Sequence, residues 1–184
     1  MKKSEFYEKP LASKRLLEGK IVNVREDTIE LINGKSSFRE VVEHPGGVVI
    51  LAVNERREAY MVCQYRYPMG EELLEAPAGK LERGEEPHDG AVRELKEETG
   101  LTAGRMIYFG ATYPSPGFCD ERLHMFLALD LTEGEACPDE DEFLRVSKHG
   151  LDELADMAMR GEIPDGKTIS AIFFAREYFA RESL

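Results

Sequence analysis

The sequence predicts an α/β fold, a mixed β-sheet between helices with an added β-strand segment at the N-terminal end. Strand-like and helix-like stretches alternate along most of the chain. Residues 48–53 are apolar almost throughout, as a strand buried on both faces must be. Residues 87–99, 150–160 and 167–181 carry helix formers or apolar residues at helical spacing. No internal repeat or low-complexity linker interrupts this order.

Residues 1–43 read as the N-terminal β-strand segment and 44–184 as the main domain. Within the first, strands are expected over 21–25, 28–32 and 38–44, with turns at Glu26-Asp27 and Asn33-Gly34. Three strands without a helix bury too little to stand alone, so this segment should lean on the rest of the chain or on a second copy of it. After the HPGG turn at 44–47 come strands over 48–53 and 59–67. The second ends in QYRYP, which puts Arg66 near a strand terminus. An arginine there is ordinarily a surface residue, but beside a phosphate-processing site it becomes a candidate substrate ligand.

The stretch 79–101 reads GKLERGEEPHDGAVRELKEETGL. Pro87 suits the first turn of a helix and Gly100 the position just past its end. At helical spacing Glu94, Glu97 and Glu98 share a narrow arc, while Ala91, Val92, Leu95 and Thr99 gather on another side. The expectation is one packed face and one anionic face. Beyond it, strands are expected over 105–112 and 123–131, separated by TYPSPGFCDER, a rigid loop whose Phe118 ring could stack on a base or sugar. An acidic loop, GEACPDEDE, precedes a strand over 143–147. The helix at 150–160 turns Leu151, Leu154, Ala155 and Ala158 inward and ends at Gly161; the helix at 167–181 partly buries Ile169, Ile172, Phe173, Ala175 and Phe179.

Composition narrows the function. The net charge of −12 argues against a general nucleic-acid or anionic-membrane surface, either of which needs clustered Lys and Arg. Cys63, Cys119 and Cys137 form no CxxC, and His44, His88, His124 and His149 are scattered, so neither a disulfide framework nor a thiolate or helical zinc site is expected. The first ten residues carry no apolar signal core and no segment is long enough to span a membrane, which points to a reduced cytoplasmic protein.

Glu94, Glu97 and Glu98 repel one another near a helix C-terminus, where the macrodipole also disfavours negative charge. A cation must offset this: either Arg93 and Lys96 close by, in a solvated salt-bridged face, or a hard divalent metal with oxygen ligands. Glu98→Gln separates the two readings.

The complete spacing is decisive. Gly79, Glu85, Arg93, Glu94, Glu97, Glu98 and Gly100, with Leu95 and Leu101 at apolar positions, stand as G-x5-E-x7-R-E-U-x-E-E-x-G-U. This resembles the Nudix box without a substitution at any fixed position; Gly90 stands where a small Ala is frequent. The resemblance implies a Nudix-type α/β/α sandwich that hydrolyses a nucleoside diphosphate linked to another moiety, using Mg²⁺ or Mn²⁺. It makes Glu94 and Glu98 the principal metal ligands, Glu97 a further ligand or acid/base group, and Ala78 a ligand through its carbonyl. Pro116, sixteen residues after Gly100, together with QYRYP, REVVEH and PDEDEFLRV, is similar to the ADP-ribose pyrophosphatase subfamily. That subfamily implies a homodimer with an exchanged N-terminal part, Arg39 and Arg66 as substrate ligands, and Phe118 near the substrate. It also implies a catalytic carboxylate in the 139–142 loop, Glu140 first and Glu142 second. The expected reaction is cleavage of ADP-ribose to AMP and ribose 5-phosphate. The alternatives are hydrolysis of ADP-glucose, GDP-mannose or a dinucleotide polyphosphate, and a non-catalytic nucleotide-sugar sensor.

Overall fold

The computed structural model describes residues 4–137 and 143–182. The chain divides into two compact units, Met1–Pro45 with Tyr113–Glu121, and Gly46–Thr112 with Arg122–Leu184.

The first unit is built on a three-stranded antiparallel sheet in the order β1-β2-β3, with β1 at Lys9–Glu18, β2 at Asn23–Glu30 and β3 at Ser36–Glu43. Two sequence expectations are corrected here. β1 has no counterpart among the expected strands, because register shifts at Pro10/Ala12 and Arg15/Leu17 break its alternation and all ten of its residues are exposed. Glu26-Asp27 is not a turn but the middle of β2. Glu26 stands opposite Lys14 and Asp27 opposite Arg39, and Arg25 donates to Asp27, so both acids are compatible with the ladder. Asn33-Gly34 makes the expected reversal, with Gly34 at φ 79°. The SPGF loop is tied to this sheet: Val42 N–H donates to Phe118 O at 2.7 Å and Asp120 N–H to Val42 O at 3.1 Å.

The second unit is a seven-stranded mixed sheet, β4 Gly47–Val53, β5 Glu58–Arg66, β6 Glu71–Glu75, β7 Ala78–Lys80, β8 Thr102–Thr112, β9 Leu123–Thr132 and β10 Leu144–Gly150. Its main path runs β10-β5-β4-β9-β8, with β6 on β5 and β7 on β4; the parallel pair is β4 with β9. Among the described residues three helices cover it: α1 Pro87–Thr99, α2 Leu151–Met159 and α3 Gly166–Glu182. β4 explains its own apolar run. Val48, Ile50 and Ala52 join a core with Ala91 and Leu95 of α1, while Val49, Leu51 and Val53 join another with Leu154 of α2 and Ile172 of α3. Alternate residues therefore serve opposite layers, and the unit is an α/β/α sandwich.

Candidate active site

The box helix begins and ends where its sequence says. Pro87 occupies the first turn, and Gly100 takes the left-handed conformation at φ 73° and donates its N–H to Lys96 O. The two faces differ from expectation. Val92 is 39% exposed, whereas Glu94 and Glu98 of the anionic face are only 8% and 2% exposed. The reason is β7, which lies against that face; three residues carry too little pattern to announce a strand.

β7 and α1 hold the carboxylates in detail. Ala78 N–H donates to Glu98 Oε2 at 3.1 Å. Gly79 lies so close that an added Cβ would fall 2.0 Å from the Glu94 carboxylate. Arg93 then gathers the acids. It donates from Nε and Nη2 to Glu85, both at 2.9 Å, and from Nη1 to Glu94 Oε1 at 2.8 Å and Glu97 Oε2 at 2.9 Å. Hydrogen bonding to Glu85, then to Glu94 and Glu97, raises the Arg93 pKa against its own partial burial, and the Arg93 bond lowers that of Glu85. Arg93 thus orients three of the four box carboxylates.

Among the described residues no group of three His, Cys, Asp or Glu side chains is arranged to hold a metal. The donors nevertheless fit a hard divalent cation: all are oxygens, and Glu94 rests in a cradle that a Cβ would fill. Glu94, Glu97, Glu98 and the Ala78 carbonyl are the residues that could hold one. Gly79→Ala should fold, because the obstructing atoms end a flexible side chain, but displace Glu94 and weaken Mg²⁺ affinity about tenfold or more. Calorimetric titration with Mg²⁺ checks this, and an unchanged affinity would remove the reason for glycine at 79.

Arg66, at the end of β5, is held by Glu75 through Nε at 2.7 Å and Nη2 at 2.6 Å. Glu75 is 1% exposed, and Lys167 donates to its Oε2. Burial pushes the Glu75 carboxyl up, but Arg66 and Lys167 outweigh it and keep the pKa below the ordinary value. The Glu98 charge adds to the forces that raise Arg66, after Glu75 and Asp165. Sequence reasoning does not find Glu75, Asp165, Lys167 and Thr168. The available signal is an acid in the apolar run Leu73-Leu74-Glu75-Ala76-Pro77, where a buried carboxylate demands a cation.

Arg39, Pro116 and Phe118 lie in the first unit. Arg39 donates to Glu8, through Nε at 3.0 Å, and to Phe38 O at 2.8 Å; Pro116 and Phe118 are exposed. Glu140 and Glu142 fall outside the described residues. The segment leading toward them is anchored on the box helix, since Cys137 N–H donates to Glu97 O at 2.9 Å.

Comparison with known proteins agrees with this geometry. The model of the NUDIX domain matches residues 43–172, and that of the nucleoside diphosphate sugar hydrolase N-terminal domain matches residues 8–42. The chain is 44% identical over 167 residues, 90% of each protein, to an ADP-ribose pyrophosphatase of Bacillus subtilis (strain 168). It is 40% identical over 169 residues, 91% of each, to a methanol dehydrogenase activator of Bacillus methanolicus. A crystal structure of an ADP compounds hydrolase superposes with a TM-score of 0.86, covering 98% of both chains at 22% identity. That likeness is one of fold.

Proposed function

The chain belongs to the NUDIX family, and from that premise we propose that it hydrolyses the diphosphate of ADP-ribose, giving AMP and ribose 5-phosphate. The observation that carries the reading is the buried Glu94–Glu98 pair, held by Gly79, Ala78 and Arg93 beside Arg66. The substrate follows from the 44% identity to an ADP-ribose pyrophosphatase, supported by Pro116 and the QYRYP and REVVEH segments.

Mg²⁺, or Mn²⁺ in its place, is the cation proposed for Glu94, Glu97, Glu98 and the Ala78 carbonyl; it would neutralise diphosphate oxygens and make water more acidic. The protein's own groups do the rest. Arg66, aligned by Glu75, donates to a phosphoryl oxygen, and Arg39 is a second anion ligand. Phe118 offers a ring face to base or sugar. Glu140, with Glu142 as the alternative, takes the proton from the attacking water; Cys137, which precedes them, donates its N–H to Glu97 O. Purified protein with Mg²⁺ should release AMP and ribose 5-phosphate from ADP-ribose faster than it cleaves ADP-glucose, GDP-mannose or a dinucleotide polyphosphate. Preferred cleavage of one of those would replace the substrate. Cleavage of none would leave the sensor reading.

Residues 1–43 are proposed as the dimerisation segment and 44–184 as the hydrolase domain. In the first unit Ile29 is the one buried large hydrophobic among the described residues, while Leu11, Leu16, Leu17, Ile21 and Phe38 are exposed. A second copy is the proposed cover for this apolar surface, by strand pairing or exchange. Light scattering at micromolar concentration should return twice the chain mass of 20.8 kDa, and a monomeric mass would refute the homodimer. A cytoplasmic setting is proposed as well; no helix among the described residues is long and apolar enough to cross a membrane.

A further inference from the structure

Among the described residues the most deeply buried charged side chain outside the box is Glu75, and besides Arg66 it is enclosed by groups that the proposed reaction does not use. Two connections run from the start of α3 to the site. In the first, Lys167 donates to Glu75 Oε2, the oxygen that also receives Arg66 Nη2 at 2.6 Å. In the second, Thr168 Oγ1, fully buried, accepts the Ala76 N–H at 2.8 Å, two residues before Ala78. Asp165 joins them. Its Oδ2 accepts from Lys167 at 2.9 Å and from the Thr168 N–H at 3.1 Å, while its carbonyl accepts from Ile169, so the residue that caps α3 also fixes both connections.

We propose that Asp165, Lys167 and Thr168 form a positioning clamp that sets Arg66 against the substrate diphosphate and suspends the Ala76–Ala78 segment beside Glu98. The inference rests on the hydrolase reading and goes beyond it by assigning α3's first turn to substrate recognition. The chemistry requires such a clamp. Arg66 alone would be free to follow Glu75 between rotamers, and Glu75 alone would leave one buried carboxylate against one arginine. With Lys167 in place the carboxylate is held from both sides, so the guanidinium plane is set before the substrate arrives. The two connections should separate kinetically. Lys167 acts through Arg66, a ligand made in the ground state, and so governs KM; Thr168 acts through the backbone at Ala78 and so governs kcat and divalent affinity.

The test uses the full-length protein and whichever nucleoside diphosphate derivative it cleaves. Lys167→Met should raise KM about tenfold with kcat within about twofold of wild type, and Lys167→Arg should restore most of the loss. Combined with Arg66→Lys, Lys167→Met should add little further to KM, because both act on the same contact. A merely structural role would lower the active fraction and hence kcat, leave KM unchanged, and multiply with Arg66→Lys. Thr168→Val should instead weaken Mg²⁺ binding in calorimetry while Thr168→Ser does not. If Lys167→Met cannot be purified folded, Asp165→Asn keeps a cap acceptor and removes the charge that holds Lys167; a KM equal to wild type in that variant would overturn the clamp. Wild-type protein that cleaved no nucleoside diphosphate derivative would overturn the hydrolase reading. Wild-type protein that cleaved one, with KM untouched by Lys167→Met, would overturn the clamp alone.

Discussion

Glu98→Gln should abolish useful turnover, lowering kcat on the order of a hundredfold to a thousandfold, while the folded protein survives. The two outcomes come from one local arrangement. Glu98 is 2% exposed and accepts the Ala78 N–H at 3.1 Å, and a glutamine can accept that same bond with its amide oxygen. What is lost is charge, which the proposed cation needs from Glu98. Without metal the variant should be about as stable as wild type, because the lost attraction to Arg66 is offset by the removal of one of two neighbouring buried like charges. Turnover of ADP-ribose and thermal unfolding with and without Mg²⁺ measure both halves. Unchanged turnover would refute Glu98 as a ligand, and collapse of the fold would mean that its role is structural.

Arg93→Met should produce the largest loss of stability in the box, about 3 kcal/mol at neutral pH, because it leaves Glu85, Glu94 and Glu97 without their shared cation. Its pH dependence has a definite sign. Arg93 lowers the folded-state pKa of Glu85, so that group's contribution is fully present above the unfolded carboxylate range and is lost as pH falls through the lowered value. The gap between wild type and variant should therefore be widest at pH 7 and narrow on acidification below about 4. Denaturant unfolding across this range checks the prediction. A gap that stays constant with pH would assign the loss to packing of the side chain rather than to its charge.

Residues that act within one short stretch are legible in the sequence, and those that act across the chain are not. The acid face follows from 100° spacing, the helix limits from Pro87 and Gly100, the burial of β4 on both faces from its apolar run, and the sheet between helices from the alternation of strand-like and helix-like stretches. Burial of that face is illegible because it depends on β7, whose three residues carry no period. β1 is hidden by its two register shifts, and β2 reads as two pieces because charged residues in a ladder look like a turn until their cross-strand partners are known. The clamp joins Glu75 to Lys167, residues 92 apart, and nothing local to either announces the other. Val92 shows the limit of periodicity even inside a correct helix: its angle puts it with Ala91 and Leu95, yet those two are buried in the core and Val92 stays exposed at the margin of the packed face.

Gly100 does more than end a helix. A Cβ there would fall 2.4 Å from Gly134 O, so two backbones meet with no side chain between them, and Cys137 N–H is fastened to Glu97 O just beyond. The stretch from Gly134 to Cys137 is therefore fixed against the end of the box helix. A lineage could lengthen, shorten or rewrite the sequence that follows it while every carboxylate on the helix kept its place. In this sense the last glycine of the box separates the part of the enzyme that can diversify from the part that cannot.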